Sequence, residues 1–145
     1  NGIYLTDAIT TDCFLKDFTK SEAKLFDGVR HDSGDPYMWG EKILTAYWQF
    51  NIDPLTKTLL FSDSLDFQKA DDLHSYFKDQ VRVAFGIGTY IANDCDEPAM
   101  NQVLKITEAN HIPICKLSDD MSKYMGKNDE YLAYLRRTID WRLTH

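Results

Sequence analysis

The sequence predicts an α/β fold on a parallel sheet, half of a (β/α) barrel that ends in a hairpin and a C-terminal helix. Three observations lead there. Short apolar runs alternate with helical patterns, the arrangement of strands joined by right-handed crossovers. The first three runs close on an aspartate and the fourth on a glycine pair. Beyond Asn93 the alternation gives way to a turn signal and a long amphipathic stretch.

The elements follow in order. GIYLTD, residues 2–7, is the first strand, and TTDCFLKDF, residues 10–18, is compatible with a short helix. DGVRHD, residues 27–32, is the second strand. Asp35 caps the helix that follows, and Pro36 takes its first position, where a missing N–H costs nothing. Trp39, Ile43, Tyr47 and Phe50 then mark one face of that helix. Asp53-Pro54 ends it and turns the chain toward the third strand, TLLFSD, residues 58–63. Asp66 caps a second helix with Ala70, Leu73 and Phe77 inward. VRVAFGIG, residues 81–88, is the fourth strand. The third and fourth runs are nearly all apolar, as in strands covered on both faces. Residues 101–119 read as two strands around a turn at Asn110. Residues 129–143 close the chain as a helix with Leu132, Leu135, Ile139 and Leu143 on its buried face.

No low-complexity linker divides the 145 residues, and the length suits one domain. Half a barrel leaves strand edges unpaired, and the first residue is Asn, so a piece of a longer chain is expected. A small open sheet is the alternative. The formal net charge of −7 argues against nucleic acid, which needs a basic face. No apolar run approaches the roughly 20 residues of a membrane span, and no signal peptide opens the chain. Cys13, Cys95 and Cys115 form no CxxC or zinc pattern and read as reduced thiols packed as small apolar residues.

In a parallel α/β sheet the carboxyl ends of the strands share one edge, where ligands bind. Asp7, Asp32, Asp63 and the loop Gly86-Ile87-Gly88-Thr89 should therefore converge. Gathered carboxylates repel unless a cation sits among them. Mg²⁺ commonly binds through one or two carboxylates plus substrate phosphates. Glycines let backbone N–H groups approach phosphate oxygens. Together these point to a phosphorylated sugar or nucleotide. Arg30 falls on the same side of its strand as Asp32, and His31 on the opposite side, as a packed histidine. Each piece also has a plainer reading: Asp35 and Asp63 as local caps, and FGIGT as a tight turn, since no third Gly completes a dinucleotide fingerprint.

VRHDSGDPYMWGEK, LFSDSLD, FGIGT and KLSD together, with LTDAITTDCFLKDF ahead of them, resemble the C-terminal half of nicotinate phosphoribosyltransferases of bacterial type. The likeness runs in order through nearly the whole chain. It implies an irregular (β/α) TIM-like barrel of the type II phosphoribosyltransferases, with residues 1–145 the C-terminal part of the barrel domain. The implied reaction joins nicotinate to phosphoribosyl pyrophosphate with ATP hydrolysis, giving nicotinate mononucleotide and pyrophosphate for NAD salvage. It also implies Mg²⁺, a homodimer in full-length form, a cytoplasmic location and an inactive isolated fragment. Nicotinamide or quinolinate as the substrate, or a non-catalytic phosphate-binding module, are the rival readings.

By the same resemblance, Arg30 lies near the pyridine ring and ribose. Asp32 holds ribose hydroxyls and the metal-bound substrate, and Asp7 the pyrophosphate and Mg²⁺. Ser33, Gly34 and Asp35 complete that loop, Ser62 and Asp63 contact ribose, and Gly86, Gly88 and Thr89 take the 5′-phosphate. The phosphorylated histidine of the ATP-linked family lies in an earlier motif, so His31, His74, His111 and His145 are not given its role. Lys116 and Lys123 are expected to be solvated or structural.

Overall fold

A computed structural model describes residues 2–93, 95, 97–98, 100, 102–120, 126 and 128–145. Lys123 lies outside them. Four strands, β1 (Ile3–Leu5), β2 (Gly28–His31), β3 (Thr58–Phe61) and β4 (Arg82–Phe85), pair in parallel in the order β1-β2-β3-β4. Consecutive order without reversal is that of a barrel segment, whereas an open doubly wound sheet reverses direction at a switch point. The fold is thus a partial TIM-like barrel, with all strand carboxyl ends on one edge.

Between β1 and β2 the chain forms two short helices, α1 (Thr11–Asp17) and α2 (Lys20–Leu25). The sequence reading found the first and missed the second. The missed signal is local: Thr19 and Glu22 form a reciprocal capping box. Buried Lys57 closes the other end, donating to the carbonyls of Phe26 at 2.7 Å and Lys24 at 3.3 Å.

Helix α3 (Pro36–Gln49) starts as expected, with Asp35 Oδ1 accepting the Met38 N–H at 2.8 Å. Asp53 caps a single 3₁₀ turn, Pro54–Thr56, before β3. Helix α4 (Phe67–Phe77) is capped by Asp66, which accepts the Lys69 N–H at 2.7 Å. Asp66→Ala should cost about 1 kcal/mol, typical for a lost N-cap. Chemical denaturation of the full-length protein would check it, and a change below a few tenths would mean the cap is replaced by water.

Helices α3 and α4 cover one face of the sheet. Val29, His31, Leu59 and Phe61 point into it and are almost fully buried against Trp39, Ile43, Tyr47, Leu73 and Phe77. Tyr47 sits so deep that burial pushes its hydroxyl pKa up to about 12. The opposite face carries exposed Arg30 and only half-buried Leu60 and Ala84. Coverage on both faces, expected from the apolar runs, is therefore not complete among the described residues.

After β4 come a short helix, α5 (Thr89–Ala92), and the expected hairpin, β5 (Glu108–Ala109) against β6 (Ile112–Pro113). Asn110 and His111 make its turn with φ of 50° and 61°. The closing helix α6 (Asp129–Thr144) packs on α1, where Arg142 pairs with Asp17. No residue of α6 is fully buried. Leu132, Leu135 and Ile139 are half-buried and Leu143 is exposed, so the expected buried face is covered only in part. The thiols are all unpaired, as expected, and Cys13 is buried; Cys115 is only intermediate and Cys95 exposed, so packing as small apolar residues fails for Cys95. Among the described residues no helix is long and apolar enough to cross a membrane.

Candidate active site

The strand ends assemble two clusters rather than one. The first is open and charged. Arg30 Nη2 donates to Asp32 Oδ1 at 2.8 Å and Arg30 Nε to Ser62 Oγ at 2.8 Å. Ser62 in turn donates to the His31 carbonyl at 2.8 Å, with Asp32 Oδ1 at 3.3 Å. Period-two alternation puts Arg30 and Asp32 on the same side, and the β2–β3 register brings Ser62 beside them. With side chains 44% and 38% exposed, the Arg30–Asp32 pair adds little stability but keeps both groups at the surface.

Gly86 extends this cluster. Its N–H goes to the Phe61 carbonyl at 2.8 Å, and a Cβ there would stand 3.2 Å from Ser62 Cβ. The missing side chain lets β4 approach the serine closely. Gly88 precedes α5, and a Cβ on it would meet nothing within 4 Å, so protein packing alone does not require glycine there. Gly88 and Thr89 are both exposed.

The second cluster is buried. Asp7, 2% exposed, accepts from Ser33 Oγ at its Oδ2, and Ser118 Oγ lies 3.2 Å from the same oxygen. Its Oδ1 is buried without a hydrogen-bond partner. Asp7 and Asp32 thus belong to separate hydrogen-bonded clusters: one lies under two hydroxyls, the other is engaged by a guanidinium. Among the described residues no three His, Cys, Asp or Glu side chains are placed to hold a metal.

Asp63 lies in neither cluster. With His31, Gly34, Asp35, Lys69 and Leu73 it lines a cleft of about 320 Å³ between the starts of α3 and α4. Gly34 takes φ +84°, a left-handed conformation that glycine adopts without strain. That turn brings its carbonyl to 3.1 Å from His31 Nε2. A carbonyl only accepts, so Nε2 carries the proton, and buried Nδ1 is left without a partner.

His31 packs between Trp39 and Phe61, with ring centroids at 5.2 and 6.0 Å. Burial holds its pKa below the usual histidine value, only partly opposed by Asp63, the Gly34 carbonyl, Asp7 and Asp32. The unfolded chain therefore binds the extra proton. Stability is full above about pH 6.5 and falls as pH drops below it, by at most about 1.4 kcal/mol per pH unit for one proton. Between pH 7 and 5.5 the denaturation midpoint should fall with acid, and His31→Gln should flatten that slope. An equal slope in the variant would assign the effect to other groups. His31 is thus a core residue with both nitrogens buried, unsuited to accept a phosphoryl group. Exposed Lys69 at the cleft, and Ser118 and Asp119 at the buried cluster, were not singled out from sequence. For Ser118 and Asp119 the only advance signal was the KLSD stretch, which carries no role until the fold closes; Lys69 had none.

Residues 1–142 match the model of the nicotinate phosphoribosyltransferase (NAPRTase) family. A nicotinate phosphoribosyltransferase of Acinetobacter baumannii is 52% identical over 138 residues, which are 95% of this chain and 34% of that protein. One from Neisseria meningitidis is 50% identical over 139 residues, 96% of this chain and 35% of its own. Among solved structures, the nicotinate phosphoribosyltransferase of Vibrio cholerae superposes with a TM-score of 0.88 at 42% identity, over 93% of this chain and 34% of that one. That of Porphyromonas gingivalis gives 0.83 at 35% identity, over 94% and 37%. The chain spans about a third of the length of the curated relatives it matches. With this sheet order, this strand edge and these relatives, the chain belongs to the nicotinate phosphoribosyltransferase family.

Proposed function

We propose that the protein containing this chain joins nicotinate to 5-phosphoribosyl 1-pyrophosphate, giving nicotinate mononucleotide and pyrophosphate for NAD salvage. The observation that carries this reading is the Arg30–Asp32–Ser62 cluster at the carboxyl edge of the sheet, in a chain of this family. In the reaction the pyridine nitrogen attacks the anomeric carbon as the bond to pyrophosphate breaks. Positive charge builds on the sugar and negative charge on the leaving group.

Asp32 is suited to accept from ribose hydroxyls and to face the developing cation. Arg30 would meet the nicotinate carboxylate or the ribose, with Ser62 fixing its guanidinium. Asp63 serves the ribose from the neighbouring strand end. Gly88 and Thr89 offer the 5′-phosphate their backbone, because the Gly86 N–H is already committed to Phe61. Groups fixed before substrate arrives stabilise charge without reorganising, a major source of rate. Asp7 offers no surface to a ligand in this chain, so its proposed contact with pyrophosphate and Mg²⁺ would require Ser33 and Ser118 to move. Mg²⁺ enters this reading as a counter-ion arriving with the pyrophosphate. ATP coupling, a homodimer, a cytoplasmic location and the inactivity of residues 1–145 alone rest on the family likeness.

The test is product formation by the full-length protein with phosphoribosyl pyrophosphate and Mg²⁺, given nicotinate or nicotinamide, each with and without ATP. Nicotinate mononucleotide, made faster with ATP, is expected. Turnover of nicotinamide alone would move the substrate, and no turnover of either would sink the catalytic reading.

A further inference from the structure

Ser118 and Asp119 lie 111 and 108 residues along the chain from the groups they bind, and the reaction as described gives them no task. Ser118 is fully buried, with its Oγ 2.8 Å from Ser33 Oγ and 3.2 Å from Asp7 Oδ2. Ser33 spends its only hydroxyl proton on Asp7 Oδ2, which leaves its oxygen free to accept from Ser118. The order Ser118 to Ser33 to Asp7 therefore uses each proton once and fixes both serine rotamers. Asp119 acts alongside. Its Oδ1 accepts the Thr11 N–H at 2.9 Å and its Oδ2 the Thr11 hydroxyl. Thr11 opens α1, and its hydroxyl packs 3.5 Å from that of Thr6 just after β1, a contact without a shared proton because each hydroxyl donates elsewhere. Thr6 also accepts from Trp39 Nε1 at 2.8 Å and donates to the Arg30 carbonyl at 3.2 Å.

One short segment thus ties together the end of β1, the start of α1 and the loop after β2. That loop carries Asp32 immediately before Ser33, and Arg30 is held by its own carbonyl. A buried carboxylate deprived of a donor is costly, so the network resists partial loosening.

We propose that Ser118 and Asp119 are positioning residues for phosphoribosyl transfer, setting the place of Asp32 through Ser33 and of Arg30 through Thr11 and Thr6. The proposal rests on the reaction assigned above. It adds a function for KLSD that acts from beneath the site without touching substrate.

The test uses the full-length protein at a temperature where every variant is fully folded. Ser118→Ala should lower kcat about 10- to 100-fold, with KM for phosphoribosyl pyrophosphate within about threefold, because misplacement of a reacting group by about 1 Å costs that much. Asp119→Ala should do the same. Asp119→Asn should recover most of the loss, since its amide can still accept from the Thr11 N–H and donate to the hydroxyl. The double variant Ser33→Ala/Ser118→Ala should be no slower than the worse single one, as for groups in one network. Hydrogen exchange at residues 32–35 should quicken in Ser118→Ala. Unchanged kcat in folded variants, an additive double variant, or unchanged exchange would each overturn the proposal. If residues 32–35 loosen in a protein whose wild type makes no nicotinate mononucleotide, the proposal also falls, with the fault in the assigned reaction and not in the anchoring.

Discussion

Asp32→Asn in the full-length protein should lower turnover about 10²- to 10³-fold, the usual loss when one fixed electrostatic group is removed from a reaction centre. The unfolding free energy should move by less than about 1 kcal/mol, because exposed ion pairs contribute little. The two expectations separate because the Asp32 side chain is 38% exposed and its partners keep other bonds after the change. Ser62 still donates to the His31 carbonyl, and Arg30 still donates to Ser62. What is lost is a negative charge beside the developing sugar cation. Steady-state kinetics and a denaturation curve on the same preparation would decide it. A loss of stability matching the loss of activity would make Asp32 a structural residue and remove it from the mechanism.

Phe61→Ala should destabilise the protein by about 3–5 kcal/mol, the range for deleting a large buried aromatic side chain. Phe61 is fully buried, and its ring lies 5.3 Å from Trp39, 5.5 Å from Phe77 and 6.0 Å from Phe85. Helices α3 and α4 both pack on it, so neither can close the cavity without leaving the other. That cost is a large share of the 5–15 kcal/mol that holds a typical domain together. Residual activity should therefore follow the folded fraction, unlike the Asp32 case. A cost under about 1.5 kcal/mol would mean the layer collapses to fill the space, as cores do where the site can relax.

The features legible in the sequence were those with local causes. Asp35, Asp66 and Pro36 announced the helix starts because capping involves residues three apart. His31 was correctly placed away from Arg30 and Asp32, because strand alternation depends only on adjacent positions. Two expectations failed in part where the outcome depended on distant surfaces. The apolar faces of β3, β4 and α6 state what those elements could bury, not what is present to cover them. The site divides in the same way. Arg30, Asp32, Ser62 and Gly86 follow from strand ends and register. The division of the aspartates does not, because Asp7 sinks under hydroxyls contributed from residues 33 and 118. Spacing along the chain carries no trace of that pairing.

The long reach of Ser118 also orders events in time. Neighbouring strands of the sheet pair across separations of about 24 to 30 residues, for example Leu5 with Arg30 and Phe61 with Phe85. Closing the Ser118–Asp7 loop of 111 residues means roughly two further doublings of length, about 1.2 kcal/mol more chain entropy. Synthesis runs in the same order, since β1 to β4 precede residue 118 in the chain. The scaffold can therefore form while Asp7 still has its lid off, and the reactive edge acquires its final geometry only as the last quarter of the chain docks.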